Sequence, residues 1–386
     1  MLLRILPFLA LLLTLPPLTI DLTLLLRRAR WWGHVALWLP NVVILGILLW
    51  LGLHEEYTMA ADHEKATALS VALCVMVPET LTALFLLIAL PFYKLRSVRR
   101  WINAIGIVLG IVVFGGMVYG FTQGFRHVVT TRYDYRSPRL PAAFEGYRIV
   151  QLSDLHLGTL LHHPDVVRTI VDSVNAQNPD LIVFTGDLVN YNPQELYPFE
   201  KELRRLKAKD GIVSIMGNHD YLLYYHWASE AERLAAIDSL QAHERAMGWQ
   251  LLLNDHCMLR HGQDSLAVVG LENDGPPRFP ALSDLRRAQQ GIGEGTWQLL
   301  LQHDPSYWRR AVVQKTDIPL MLAGHTHGMQ LKIMGWSPAA WIYPEWGGEY
   351  RAGRDQKLFI SLGTGEVMLP FRLGAWPEVD VITLRR

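Results

Sequence analysis

The sequence predicts four membrane-spanning helices followed by an α/β domain on a largely parallel sheet. Three observations carry that prediction. Four long apolar runs fill the first 121 residues, short apolar segments alternate with amphipathic helical patterns after residue 146, and acidic and imidazole side chains recur directly after those segments.

Length and charge bound the answer first. A chain of 386 residues, half of them apolar, has room for about two domains. Lys plus Arg number 36 and Asp plus Glu number 36, so no cationic excess is available to capture nucleic acid, and no nucleic-acid binding is expected. Cys74 and Cys257 stand far apart in unlike surroundings, which suggests neither a disulfide framework nor a thiolate metal site.

The apolar runs are Ile5–Leu26, Trp31–Leu53, Leu69–Tyr93 and Ile102–Phe121. Each is near the ~20 residues that cross a bilayer as a helix. The first resembles a signal peptide in position, but its length, Pro16 and Pro17, and the three runs behind it favour a retained span. Basic residues are retained on the cytoplasmic side. Arg27, Arg28 and Arg30 follow the first run and Lys94, Arg96, Arg99 and Arg100 the third, whereas Glu55, Glu56, Asp62 and Glu64 outnumber Lys65 after the second. Residues 1–121 are therefore expected to form an integral part of the inner membrane, with the C-terminal domain on the extracytoplasmic side. Arg126, Arg132, Arg136 and Arg139 beyond the fourth run count against that orientation. Glu79, inside the third run, is costly in hydrocarbon; it would line an internal site or, with Pro78 beside it, serve helix packing.

Residues 122–146 read as a linker and 147–386 as the α/β domain. Tyr147–Leu152, Leu181–Thr185, Ile212–Met216, Leu266–Gly270, Trp297–Gln302 and Leu320–Ala323 are short, apolar and mostly bounded by Gly, Pro or Asp, as buried strands are. His163–Gln177 and Gln194–Lys207 are amphipathic at helical spacing, so the domain opens as β-α-β-α-β. That alternation calls for a sheet covered on both faces. Gly291–Gly295 and Trp346–Gly353 read as loops.

Five polar clusters follow the strands, where open α/β sheets form their sites. They are SDLHLG with Asp154 and His156, TGDLV with Asp187, MGNHD with Asn218, His219 and Asp220, LLQHDP with His303, and LAGHTHG with His325 and His327. Singly, each has a bland reading: an Asp at a strand end is often a helix cap, and a His-x-His is commonly a surface loop. Five in order are not so explained. Imidazole with carboxylate suits manganese, iron or zinc better than magnesium or calcium. Gly186, Gly217 and Gly324 would let backbone approach the ions.

These residues resemble the signature of the calcineurin-like metallophosphoesterase superfamily: Asp-x-His, Gly-Asp, Gly-Asn-His-Asp/Glu, His and Gly-His-x-His. The tail FISLGTGEVMLPFRLGAWPEVDVITLRR is similar to the bacterial branch with membrane-bound and exported phosphoesterases. The resemblance implies a four-layer αββα sandwich and two divalent metal ions. One would be held by Asp154, His156, Asp187 and His327 and the other by Asp187, Asn218, His303 and His325. It also implies hydrolysis of a phosphomonoester or phosphodiester by a hydroxide bridging the two metals, with His219 as general acid or transition-state stabiliser and Asp220 orienting it. The membrane anchor suggests a lipid-linked or envelope substrate. A membrane receptor or scaffold with a non-catalytic domain of this kind is the alternative; a transporter finds few polar groups within the spans.

The remaining candidates are weaker. His162, His163, His226, His243, His256 and His261 read as surface or loop histidines. Arg351 and Arg354, with Tyr350, would bind a headgroup or simply be solvated. Trp336, Trp341, Tyr343 and Trp346 suit either a membrane-water interface or a core.

Overall fold

The computed structural model describes all residues except 1, 27–28, 55–58, 276–278, 280 and 354, and the side chains of 59–62. Arg27, Arg28, Glu55, Glu56 and Arg354, and the Asp62 side chain, therefore lie outside the described residues. The chain divides into two units, Met1–Gln123 with Met368–Pro370, and Gly124–Val367 with Phe371–Arg386.

The first unit is helical: α1 (Leu2–Leu12), α2 (Leu15–Ile20), α3 (Trp31–Leu53), α4 (Met59–Ile88) and α5 (Arg96–Thr122). Four stretches are long and apolar enough to cross a membrane, Leu2–Leu25, Trp31–Leu53, His63–Ile88 and Arg96–Thr122. The break between α1 and α2 has a local cause. Pro16 and Pro17 offer no N–H to the preceding turn, and Thr14 Oγ1 instead donates to Ala10 O at 2.7 Å. Gly106 and Gly110 let α5 lie close on α4, because a Cβ there would fall 2.3 Å from Phe85 Cβ and 2.3 Å from Thr82 Oγ1.

The second unit holds twelve strands in two six-stranded sheets. They are β1 (Val129–Arg136), β2 (Arg148–Leu152), β3 (Leu181–Phe184), β4 (Ile212–Ser214), β5 (Gln250–Leu251), β6 (Asp255–His261), β7 (Asp264–Gly270), β8 (Trp297–Leu301), β9 (Leu320–Ala323), β10 (Gly348–Ala352), β11 (Gln356–Ile360) and β12 (Glu378–Arg385). One sheet runs β1-β12-β2-β3-β4-β5 and the other β10-β11-β9-β8-β7-β6. The first is parallel except where β12 meets β2; the second is parallel except at its β6 and β10 edges.

Alternation along the strands sorts three apolar layers. Leu181 and Val183 of β3 face between the sheets with Leu299, Leu301, Leu320 and Leu322, while Ile182 and Phe184 pack under helices. Those helices are α6 (Pro164–Asn175), α7 (Glu200–Leu203) and α8 (Glu230–Ala246). On the far face, Val269, Leu300 and Met321 are covered by α9 (Leu285–Ala288) and Trp308–Val312. The result is the expected four-layer sandwich.

Four readings of the sequence need correction. The supposed linker 122–146 contains β1, an edge strand whose polar residues alternate between cover and exposure. The helix expected over Gln194–Lys207 shrinks to α7 after two single turns, because Pro198 supplies no N–H and Glu195 is drawn into the loop before it. Trp346–Gly353 contains β10, paired with β11 across Arg351 and Lys357. The long helix α8 went unforeseen, its few buried residues among a charged majority giving little periodic signal.

Glycine brings the strand ends together. Gly186, with φ of +93°, and Gly217 stand back to back, and a Cβ on Gly217 would lie 2.2 Å from Asp187 Oδ1 and 2.6 Å from Asp187 N. Gly324 is as tightly confined, against Ser153 Oγ and Asp154 Oδ2. Gly217→Ala is expected to push the Asp187 carboxylate aside and cost about 1–3 kcal/mol, as overpacking does. Chemical denaturation checks the stability, and metal analysis of the same variant should find lowered content.

Candidate metal centre

The loops after β2, β3, β4, β8 and β9 converge on one buried spot. Three groups of side chains have donor atoms within 4.8 Å of one another and could hold a metal ion: Asp154, His156 and His327; His156, Asp187 and His219; and Asp187, His303 and His325. His156 Nε2 lies 3.1 Å from His327 Nε2 and 3.6 Å from Asp187 Oδ2. On the other side, His303 Nε2 is 3.1 Å from Asp187 Oδ2 and 3.2 Å from His325 Nδ1. Asp187 thus belongs to two of the three groups and lies 3.6 Å from His156, which is shared with the first.

The backbone is bent to achieve this. Asp154, His156, Asp187, His325 and His327 all have φ between +42° and +76°, so five of the seven expected metal ligands adopt the left-handed conformation. That conformation costs roughly 1–2 kcal/mol for each L-residue. Strain of this kind persists where surrounding contacts over-determine it, and it collects at functional sites.

Several contacts do the determining. The Asp220 carboxylate accepts from the N–H groups of Asp187 (2.7 Å), Leu188 (2.8 Å), Val189 (3.3 Å) and Gly217 (2.9 Å). It therefore clamps the Asp187 loop, which corrects the expectation that it orients His219. The His219 ring is held instead by Asn190, whose carbonyl lies 2.6 Å from Nδ1, and the His219 N–H donates to Asp187 Oδ1 at 2.8 Å. His303 Nδ1 lies 2.7 Å from Thr185 O; donation to that carbonyl fixes the ring with Nε2 turned toward Asp187.

Electrostatics fit a cation. Burial by itself would raise Asp154 and Asp187, yet the histidines around them hold both well below the usual carboxylate range. Burial opposes charge on His303 too, but the Asp187 carboxylate overrides it and pushes the imidazole up to about 10. Burial lowers His156, His219 and His325, the last to about 4. Asp220 is pushed up to about 7 by burial and Asp187, against four N–H donors. The centre is thus a pair of buried anions that, without a metal, takes its positive charge from an imidazole.

The donor set passes a further test. Asn218 Oδ1 is buried without a hydrogen-bond partner, while its Nδ2 donates to Tyr224 OH at 3.1 Å. An orphaned amide oxygen on the residue before His219, whose own N–H holds Asp187 Oδ1, fits a ligand position. One contact opposes easy loading. Arg372 Nη2 lies 3.2 Å from His327 Nδ1 and can only donate, so His327 Nε2 carries a proton toward Asp154 Oδ1, 3.2 Å away. A cation on Nε2 requires that proton to sit on Nδ1 instead, and so requires Arg372 Nη2 to withdraw from Nδ1.

Arg372 is a residue that sequence reasoning missed. It is fully buried and donates to the carbonyls of Leu362, Gly365 and Ala375, tying the C-terminal loop to the centre. Its signal was a lone Arg in the apolar run LPFRLGAW. Tyr343 was weighed only as an interface or core residue; its hydroxyl lies 2.7 Å from His325 Nε2. Arg351 is drawn off by Glu349 at 2.6 Å, and Tyr350 OH accepts from Trp346 N, so neither joins the centre. His163, His243, His256 and His261 serve other contacts, with Arg126, Glu200, the Ala288 carbonyl and Asp210.

Comparison with known proteins accords with this geometry. Residues 147–329 match the family model described as calcineurin-like phosphoesterase. Residues 3–125 match one described as probable calcineurin-like phosphoesterase, transmembrane domain. The metallophosphoesterase YkuE of Bacillus subtilis is 31% identical over 308 residues, covering 76% of this chain and 99% of its own. A zebrafish transmembrane protein with metallophosphoesterase domain is 28% identical over 286 residues, 72% of this chain and 62% of its own. A metallophosphoesterase of Campylobacter jejuni is 28% identical over 249 residues, 64% and 61% respectively, so this chain spans about three-fifths of those two relatives. The chain therefore belongs to the calcineurin-like metallophosphoesterases, metal-dependent hydrolases of phosphoesters, and is a membrane protein of that family.

Proposed function

We propose that the chain hydrolyses an amphiphilic, lipid-linked phosphoester at a dinuclear centre, in the inner membrane with its α/β unit outside the cytoplasm. The observation that carries the proposal is Asp187 standing between two donor groups, one with Asp154, His156 and His327 and one with His303 and His325. Asn218 Oδ1 would complete the second group. When bound, two divalent ions, manganese, iron or zinc by the donor set, would supply an acidified water and neutralise phosphoryl oxygens.

The chain's own residues divide the other tasks. Asn218 contributes an uncharged oxygen, which preserves attraction for an anionic ester. His219, with Nδ1 committed to the Asn190 carbonyl, has Nε2 left for the substrate. Burial lowers the His219 pKa, and an arriving phosphoryl anion favours the imidazolium, so the proton for the departing alkoxide comes in with the substrate. His219 and His325 are the partly exposed members of the set, and the Tyr224 ring packs against His219, tilted with centroids 4.4 Å apart, which marks the side from which an ester would enter.

The apolar rim supports an amphiphilic substrate. Between His327 and Tyr343 the chain exposes Ile333 (54%), Met334 (101%), Trp336 (45%) and Trp341 (79%). Such side chains at the edge of a polar site suit a ligand with an acyl or polyprenyl portion. The orientation rests on Arg30, Lys94, Arg96, Arg99 and Arg100 at the first and third connections.

Three outcomes test the reading. His219→Ala should keep both metals yet lose about 10²–10⁴-fold in kcat, whereas Asp187→Ala should lose both metals; metal analysis beside kinetics separates the two, and unchanged kcat in the first variant refutes the acid role. Trp341→Ser with Met334→Ser should raise KM for a micellar lipid phosphoester by about tenfold, equivalent to ~1.5 kcal/mol of apolar burial, and leave a soluble ester unchanged. Equal effects on both esters would defeat the amphiphile assignment. Reporter fusions at the C-terminus should be active as periplasmic phosphatase and dark as cytoplasmic fluorescent protein.

A further inference from the structure

The membrane unit contains a buried polar pair that phosphoester hydrolysis does not use. Glu79 stands well inside the span His63–Ile88, and its Oε1 accepts from Asn41 Nδ2 on α3 at 3.1 Å. Asn41 is 1% exposed, and its Nδ2 also donates to Leu37 O at 3.0 Å. The other two oxygens of the pair, Glu79 Oε2 and Asn41 Oδ1, are both buried without a hydrogen-bond partner.

Two unpartnered acceptors in hydrocarbon are costly, and neither can donate to the other as an ion and an amide. Among the described residues, the elements packed most closely on α4 bring no compensating charge beside Glu79. Its neighbours are α2, α3, α5 and the turn Leu90–Phe92. Neither α2 nor that turn has a titratable side chain, α5 has none between Arg100 and Tyr119, and α3 has none between His34 and Leu53. On α4 itself the nearest are Cys74 and, at the far end, Lys65, Glu64 and His63. An ionised Glu79 would have no cation to face.

We propose that Glu79 and Asn41 form a proton-binding site within the membrane unit. One proton on Glu79 Oε2, donated to Asn41 Oδ1, joins the two orphaned oxygens and closes a two-bond carboxylic acid–amide pair with the existing Nδ2 contact. Binding neutralises the carboxylate by one proton and changes no other covalent bond. A metal cation fits less well, since hard cations take about six or more oxygens and this pair leaves two.

A polar line leads to the pair. His34, Trp38 and Asn41 fall at i, i+4 and i+7 of α3, hence on one face. Asp21 lies 2.6 Å from His34 Nδ1 and accepts from Trp38 Nε1 at 2.9 Å. His34 lies in the first turn of its span, so proton exchange with water is placed at this end of the line.

Infrared spectroscopy of the full-length protein in lipid nanodiscs tests the proposal. At neutral pH the wild type should show, beyond the bands of buried carboxyls in the α/β unit such as Glu195, a protonated-carboxyl C=O band that shifts in D2O and is isolated by subtracting the Glu79→Gln spectrum. The band should be lost in Glu79→Gln and displaced in Asn41→Leu, and it should be indifferent to added sodium. His34→Ala should slow its deuterium shift severalfold. Where Glu79→Gln fails to fold, the wild-type minus Asn41→Leu difference reads the same band, since that variant should displace the Glu79 band and leave the carboxyls of the α/β unit unchanged. Absence of a D2O-sensitive carboxyl band at neutral pH, its survival in Glu79→Gln, or its loss on adding sodium overturns the site. An unchanged exchange rate in His34→Ala overturns the route.

Discussion

The α/β unit is arranged around one electrostatic problem, the burial of the Asp187 and Asp154 carboxylates, 2% and 0% exposed, with no lysine or arginine among the described residues bound to either oxygen pair. Unpaired anions in such a setting are expensive. The protein surrounds them with imidazoles, which serve either as proton carriers or as neutral ligands. This dual capacity is what lets the same cavity exist with a proton or with a metal. The left-handed backbone at five of these positions is the conformational cost of gathering donors from strands that end on opposite sheets.

The supports of that arrangement are mostly backbone contacts. Asp220 gathers four N–H groups, Asn190 and Thr185 lend carbonyls to His219 and His303, and Arg372 gathers the carbonyls of Leu362, Gly365, Ala375 and Trp376. Glu195 repeats the device one loop away, accepting from the N–H groups of Gly158, Asn190, Tyr191 and Asn192. Burial pushes Glu195 up to about 7 even so. Loops held by buried charged side chains keep their shape without regular secondary structure, which a site assembled from five separate turns requires.

The membrane unit obeys a different solvent. Its helices satisfy their own backbone, and most of its polar side chains turn back to a carbonyl, as Thr14, Thr19, Thr23 and Ser70 do. Glu79 with Asn41 and Asp21 with His34 and Trp38 depart from that pattern, pairing between helical segments instead. Close packing through Gly106 and Gly110 gives the bundle the rigidity that such pairs need.

The sequence by itself determined the four spans, the central strands and which residues would meet. Apolar periodicity and length report burial directly, and β9 at Leu320–Ala323 and α3 at Trp31–Leu53 fall where the apolar residues do. The strand-end clusters were legible because Asp, His and Gly in that spacing have few structural reasons to recur. Edge strands β1 and β10 were not, since half-solvated strands keep polar residues and lose the apolar signal. Only the tertiary structure decided what Asp220 holds, what holds His219, and that Arg372 reaches His327 from 45 residues away. Those contacts depend on how loops from different strands approach, and side-chain type along the chain carries no record of a distance across the fold.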